Sequence, residues 1–165
     1  MAIQKIRKIG DPILREKCKT IDIIDKNIIK IASDMIDTVT DEEISGVGLA
    51  ACQIGILKRI IVVYTGEKFE TFINPEIQII DNTPVKELEG CLSLYSVKTV
   101  VLRPKKIIFK ALNLKGKEVE IEAEDIAARI FLHEVDHLNG ILFIDHLKPE
   151  ERKEFLSKIT RNNVL

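Results

Sequence analysis

The chain has 165 residues, 45% of them hydrophobic and 31% charged, with 25 Lys and Arg against 26 Asp and Glu for a net charge of −1. That length suffices for one domain with a substantial core, so residues 1–165 are taken as a single unit, and the near-neutral balance excludes a protein whose main task is gripping phosphates. No apolar run reaches transmembrane length and no apolar stretch follows Met1, which excludes a membrane span and makes the cytoplasm the expected location.

Gly10-Asp11-Pro12 is a turn signal, and Ile13-Leu14-Arg15 begins a short ordered arm rather than a long element. The cysteines, Cys18, Cys52 and Cys91, are odd in number and lack a CxxC pair, so neither a disulfide framework nor a zinc ribbon is indicated. Cys18 reads as a plain buried thiol. Over residues 25–42, Ile28, Ala32, Met35, Ile36 and Val39 form the stripe of an amphipathic helix, with Asp25 as its N-cap. That stripe is a core face and carries no chemistry.

Three glycines and small residues follow in Gly46-Val47-Gly48-Leu49-Ala50-Ala51-Cys52-Gln53-Ile54-Gly55. They permit something to lie close against the backbone, although a tight turn explains them about as well. Gln53 is the side chain here able to donate hydrogen bonds to a developing negative charge. Residues 59–65 read as a strand, and 69–73 and 76–80 as two more separated by the turn residues Asn74-Pro75. After Glu87-Leu88-Glu89-Gly90-Cys91-Leu92-Ser93, residues 105–112 and 118–122 flank a turn and predict an antiparallel hairpin. From Ala123 the period becomes helical through Ile126, Ile130, Phe131 and Val135, with Gly140 as C-cap. Residues 141–144 read as a short strand, and a last helix from Pro149 is expected to pack Phe155, Leu156 and Ile159 inward. The sum is an α+β domain.

The chemistry concentrates in His133-Glu134-Val135-Asp136-His137. Residues i and i+4 of a helix share a face, so both imidazoles aim at one point, and Glu134 sits about 100° further round, within reach of water at a metal there. Two histidines on the polar face of an ordinary helix are the bland alternative. The chain has three His in all, however, and two stand here with a Glu in the general-base position.

A catalytic site of this kind needs a third ligand and an open position. The HExxHxxGxxH spacing matches at Gly140 and fails at Phe143. His146 lies outside that spacing and reads as a surface or packing residue, while Glu150 and Glu154 belong to the charged face of the terminal helix. Cys91 is the better candidate, since a strand end could bring its sulfur beside the helix and a thiolate binds iron or zinc strongly; a merely buried thiol is the competing reading.

Three separated motifs, Gly46-Val47-Gly48-Leu49-Ala50-Ala51-Cys52-Gln53, Glu89-Gly90-Cys91-Leu92-Ser93 and His133-Glu134-Val135-Asp136-His137-Leu138, together with the opening Gly10-Asp11-Pro12-Ile13-Leu14-Arg15, resemble the peptide deformylases in order and over nearly the whole chain. The resemblance implies antiparallel β-sheets packed around a central helix bearing the HExxH motif, with an N-terminal and a C-terminal helix. It implies that Cys91, His133 and His137 ligate one divalent metal, Fe2+ in the cell, replaceable by Zn2+, Ni2+ or Co2+. Glu134 would be the general base, Gln53 and the backbone N–H of Leu92 the oxyanion donors, and the backbone of Val47 and Gly48 the edge holding the substrate as an added strand. The implied reaction is hydrolysis of the formyl group from nascent N-formylmethionyl polypeptides, which are its expected partners. A monomer is the expected state, a transient association with the ribosome is left open, and no specific nucleic-acid or membrane partner is expected.

Four positions depart from the family's habit. Cys52 stands where many members have Pro or Thr, Leu132 where Gln is frequent, Tyr95 where Pro is common, and Lys98 where some members place Arg. Arg129, one turn before His133, is expected to lie along the surface with its head in water, and Glu89 and Arg103 to pair and brace the Cys91 strand. The rival readings are a small metallopeptidase, separated by its cleavage of unformylated peptides, and a structural metal module. The latter would need a fourth ligand, and no Cys or His stands at motif spacing for it.

Overall fold

A computed structural model describes residues 3–95 and 97–161. Three helices, α1 (Lys26–Val39), α2 (Asp125–Leu138) and α3 (Pro149–Arg161), surround one antiparallel sheet of β1 (Gly48–Ala50), β2 (Ile60–Tyr64), β3 (Phe69–Glu89), β4 (Thr99–Leu112) and β5 (Glu118–Glu124), ordered as in sequence. Each strand pairs with the next in the chain, so every connection is local.

Asp25 caps α1 as expected, its carboxylate accepting from the Ile28 N–H at 2.9 Å. The α1 stripe then buries Ile28, Met35 and Val39 against Leu49, Ile60, Val62 and Ile73. On the opposite face, α2 packs Phe131 against Phe72 and Phe109, with ring centroids 5.8 and 4.1 Å apart. β2 therefore lies between two helices: Ile60 and Val62 face α1 while Ile61 and Val63 face α2. That double burial is why Ile60-Ile61-Val62-Val63 is a continuous apolar run, unusual in an antiparallel strand.

The two strands expected over 69–73 and 76–80 are one, β3, which runs on to Glu89. Asn74-Pro75 makes a bulge, not a turn. Asn74 takes a left-handed φ of 50° that this side chain tolerates, and its amide clamps the Ile21 backbone, accepting from N–H at 2.9 Å and donating to C=O at 2.8 Å. The expected strand over 141–144 is also corrected. The chain there enters a 3-10 turn (Phe143–His146), because its apolar side chains are needed under α3, where Phe143 meets Phe155 with centroids 5.4 Å apart. On α3, Phe155 and Ile159 point inward as expected, while Leu156 is exposed. α2 ends at Leu138, and Gly140 follows with φ 72°, where an added Cβ would overlap the Arg15 carbonyl. The N-terminal arm is thereby held against the end of the helix that carries the chemistry.

Candidate metal centre

α2 places His133 and His137 one turn apart on a buried face, with ring centroids 4.9 Å apart. Cys91 stands between β3 and a 3-10 turn (Leu92–Leu94), and its Sγ lies 3.2 Å from His137 Nε2. Ligand atoms of Cys91, His133 and His137 all fall within 4.8 Å of one another, and among the described residues no other such group exists. One sulfur and two imidazole nitrogens suit a divalent transition metal, and three protein ligands leave a position open.

His133 is fixed by its other nitrogen. Its Nδ1 lies 2.6 Å from Glu89 Oε1, so Nε2 is left to face the cluster. Glu89 is itself held by Arg103, at 2.6 and 3.1 Å, and by Arg129 at 2.8 Å. Arg103 continues to Asp136 at 2.5 Å, and His146 reaches the same Asp136 oxygen at 2.7 Å. The Glu89–Arg103 pairing expected from sequence is present and does more than brace a strand, since it orients a ligand-set imidazole. Arg129 is a correction: it is buried, donating also to the Val85 carbonyl at 2.8 Å, because the acidic charge of Glu89 inside the protein requires a second cation. His146 is not in the cluster, as expected, but is tied into this network rather than loose at the surface.

Burial alone would raise the Cys91 thiol, but the His137 and His133 imidazoles hold it well below the ordinary thiol range. Burial would likewise lower His133, and contact with Cys91 and Glu89 outweighs it, raising that imidazole. Glu134 is pushed up to about 7 by burial, against the pull of both imidazoles. Its Oε2 is buried without a hydrogen-bond partner among the described residues. An ionisable oxygen in that position, beside three convergent ligand atoms, fits a site built around a cation and the water it would bring.

Gln53 approaches from a 3-10 turn (Ala51–Ile54). Its Oε1 accepts from the Ala50 N–H at 2.8 Å, which fixes the amide so that Nε2 donates to Ser93 Oγ at 3.0 Å and points toward Cys91 Sγ at 3.6 Å. The cluster opens into a cleft of about 350 Å³ lined by Val47, Gly48, Leu88, Gly90, Ile126 and Ile130 among others. Ile126, expected on the apolar stripe, is exposed at the cleft mouth. Gly48 passes so close to Glu134 that a Cβ there would overlap the carboxylate. The Val47 carbonyl accepts from the Tyr64 N–H at 2.9 Å, so by strand alternation Gly48 turns its backbone polar groups to the edge not paired with β2.

All the sequence-singled residues, Cys91, His133, Glu134, His137, Gln53, Leu92, Val47 and Gly48, line or adjoin this one cleft. Three partners escaped the sequence reading. Ser93 carried a signal in its adjacency to Cys91. Asp136 was noticed inside the motif but not as a partner of Arg103. Lys8, whose ammonium donates to the Leu92 carbonyl at 2.7 Å, left none, because 84 positions separate the two.

A buried Cys-His-His cluster with a helical glutamate, set in an antiparallel sheet beside an open cleft, defines a metal-dependent hydrolase. Comparison with known proteins makes the class specific. A polypeptide deformylase family profile matches residues 3–153. A peptide deformylase of Clostridium botulinum is 51% identical over 145 residues, 88% of this chain and 97% of that protein. One of Thermoanaerobacter pseudethanolicus is 47% identical over 162 residues, 96% and 100% of the two chains. The crystal structure of peptide deformylase from Thermotoga maritima superposes with a TM-score of 0.84 at 42% identity, covering 90% of this chain and all of that one. The chain belongs to the polypeptide deformylase family, and its activity is the metal-dependent removal of the N-terminal formyl group from nascent polypeptides, with release of formate.

Proposed function

We propose the following division of labour for this reaction, with residues 1–165 acting as one deformylase domain in the cytoplasm, as a monomer. Cys91, His133 and His137 hold one divalent ion, Fe2+ in the cell, replaceable by Zn2+, Ni2+ or Co2+. Bound there, such an ion would supply Lewis-acid polarisation of the formyl oxygen and would make water acidic enough to lose a proton near neutral pH. Glu134 takes that proton and returns it to the leaving amine, a role supported by its buried, unpartnered Oε2 and its raised pKa. Gln53 Nε2 and the N–H of Leu92, which opens its 3-10 turn and so has no partner within it, face the charge that develops on the formyl oxygen.

The substrate adds to the free edge of β1, where Gly48 offers its N–H and C=O, and Val47 contributes its exposed side chain at the rim. The methionine side chain enters the cleft between Ile126 and Ile130 on α2 and Leu88. The observation carrying this reading is the convergence of the three ligand atoms within 4.8 Å beside an unpartnered glutamate. Metal analysis and X-ray absorption of anaerobically purified protein test it. One iron per chain with one sulfur and two nitrogens is expected, and Cys91→Ala should lose the metal while Cys18→Ala and Cys52→Ala keep it. A first shell without sulfur would remove Cys91 from the site. Ribosome association remains a separate proposal, tested by co-sedimentation with translating ribosomes.

A further inference from the structure

The N-terminal arm crosses behind the cleft and touches both segments that carry the proposed oxyanion donors. The Arg7 N–H donates to the Gln53 carbonyl at 2.7 Å, and the Ile9 N–H donates to the Ser93 carbonyl at 2.9 Å. Between them Lys8 sends its ammonium to the Leu92 carbonyl at 2.7 Å, and the same Nζ lies 5.0 Å from the centroid of the Tyr95 ring. The arm thus staples the Gln53 turn to the Leu92–Leu94 turn, and Lys8 adds a side-chain hydrogen bond to the backbone ones.

The second turn needs holding. Tyr95 closes it with a φ of 56°, the left-handed region that bulky residues avoid. Proline, common at this position in the family, could not take that φ, because its ring fixes φ near −65°, so this chain closes the turn in another way. A tyrosine has no such lock, and strain of this kind persists only where the surroundings enforce it. The ammonium over the ring face and its hydrogen bond to Leu92 join the Ile9 N–H to Ser93 C=O bond in holding it.

We propose that Lys8 is a positioning residue for deformylation: it fixes the turn after Cys91 so that the Leu92 N–H and Gln53 converge on one point. Lys8 is not itself part of the cleft lining and reaches it through the Leu92 carbonyl, so it acts through the turn. The inference rests on the oxyanion role given above to Leu92 and Gln53.

The test compares wild type with Lys8→Met, which keeps the stem and removes the donor, and Lys8→Arg, which keeps both cation and donor. A misplaced donor weakens transition-state binding without weakening ground-state binding, so Lys8→Met should lower kcat about tenfold with KM within about twofold, on the scale of one hydrogen bond. Metal content should stay at the wild-type level, amide hydrogen exchange over residues 92–95 should accelerate, and Lys8→Arg should restore both kcat and protection. Unchanged kcat and exchange in Lys8→Met, a loss confined to KM or metal content, or failure of Lys8→Arg to rescue would overturn the proposal. A wild-type protein releasing no formate would instead contradict the deformylase role, and the exchange data would still decide the staple.

Discussion

Glu134 lies where water cannot stabilise its charge, and that governs its behaviour with pH. Its value in the folded protein, about 7, exceeds the ordinary 4.5, so folding favours the protonated form. The associated stability is complete below about pH 4.5 and is lost as pH rises through about 7. In metal-free protein, Glu134→Gln should therefore raise Tm more at pH 8 than at pH 5, with a gain on the order of 3 kcal/mol at most. A larger gain at pH 5 would reverse the sign and contradict the account. With a dication bound, the carboxylate is favoured, so the acid limb of kcat/KM should fall at or below about pH 7. The same substitution should leave metal content intact while formate release collapses; near-normal release would assign the base elsewhere. Gln53→Ala should cost about 10²–10³ in kcat if its amide meets the oxyanion, measured at saturating metal.

At the scale of elements, α2 serves two masters: its Phe131 face anchors the core, and its His133–His137 face carries the two imidazoles proposed as metal ligands. Phe131→Ala removes a ring stacked on Phe109 and edge-on to Phe72 and should cost about 3–5 kcal/mol in urea unfolding, with metal stoichiometry retained in the folded fraction. Glu89→Gln acts on the other face. It removes the carboxylate that holds His133, leaving Arg103 with Asp136 and Arg129 with the Val85 carbonyl, and should weaken metal affinity about 10–100-fold, read by chelator competition. Unaltered affinity would show that His133 is oriented by something else. The helices were legible in the sequence because their periodicity, the Asp25 cap and the His-Glu-His spacing are local. Asn74-Pro75 misled because the same residues suit a turn and a bulge, and the choice depends on Ile21, more than fifty positions away. Arg129 misled for a related reason: a stripe position shows its face but not the buried acid awaiting it. The residues of the candidate site stood in motifs, whereas the network behind them, joining Glu89, Arg103, Asp136 and His146, exists only once β3, β4 and α2 meet.

The whole molecule makes a cleft in which the β1 backbone crowds the Glu134 carboxylate. Gly48 lies against Glu134 with no room for a Cβ. If the formyl oxygen sits between the metal, Gln53 and the Leu92 N–H, the formyl hydrogen points into a space that a methyl group would overfill. A displacement on the order of 1 Å can cost about 10²-fold in rate. Gly48→Ala should accordingly impair turnover by displacing Glu134. If the substrate adds to the free β1 edge with its formyl end at Glu134, internal bonds lie away from that carboxylate and should stay intact. The most direct measurement is kcat/KM for matched N-formyl-Met and N-acetyl-Met peptides, with products followed by mass spectrometry. The account predicts efficient formate release from the first, reaction slower by about 10²-fold or more with the second, and intact internal bonds in both; comparable values for the two peptides, or fragments from internal cleavage, would contradict it.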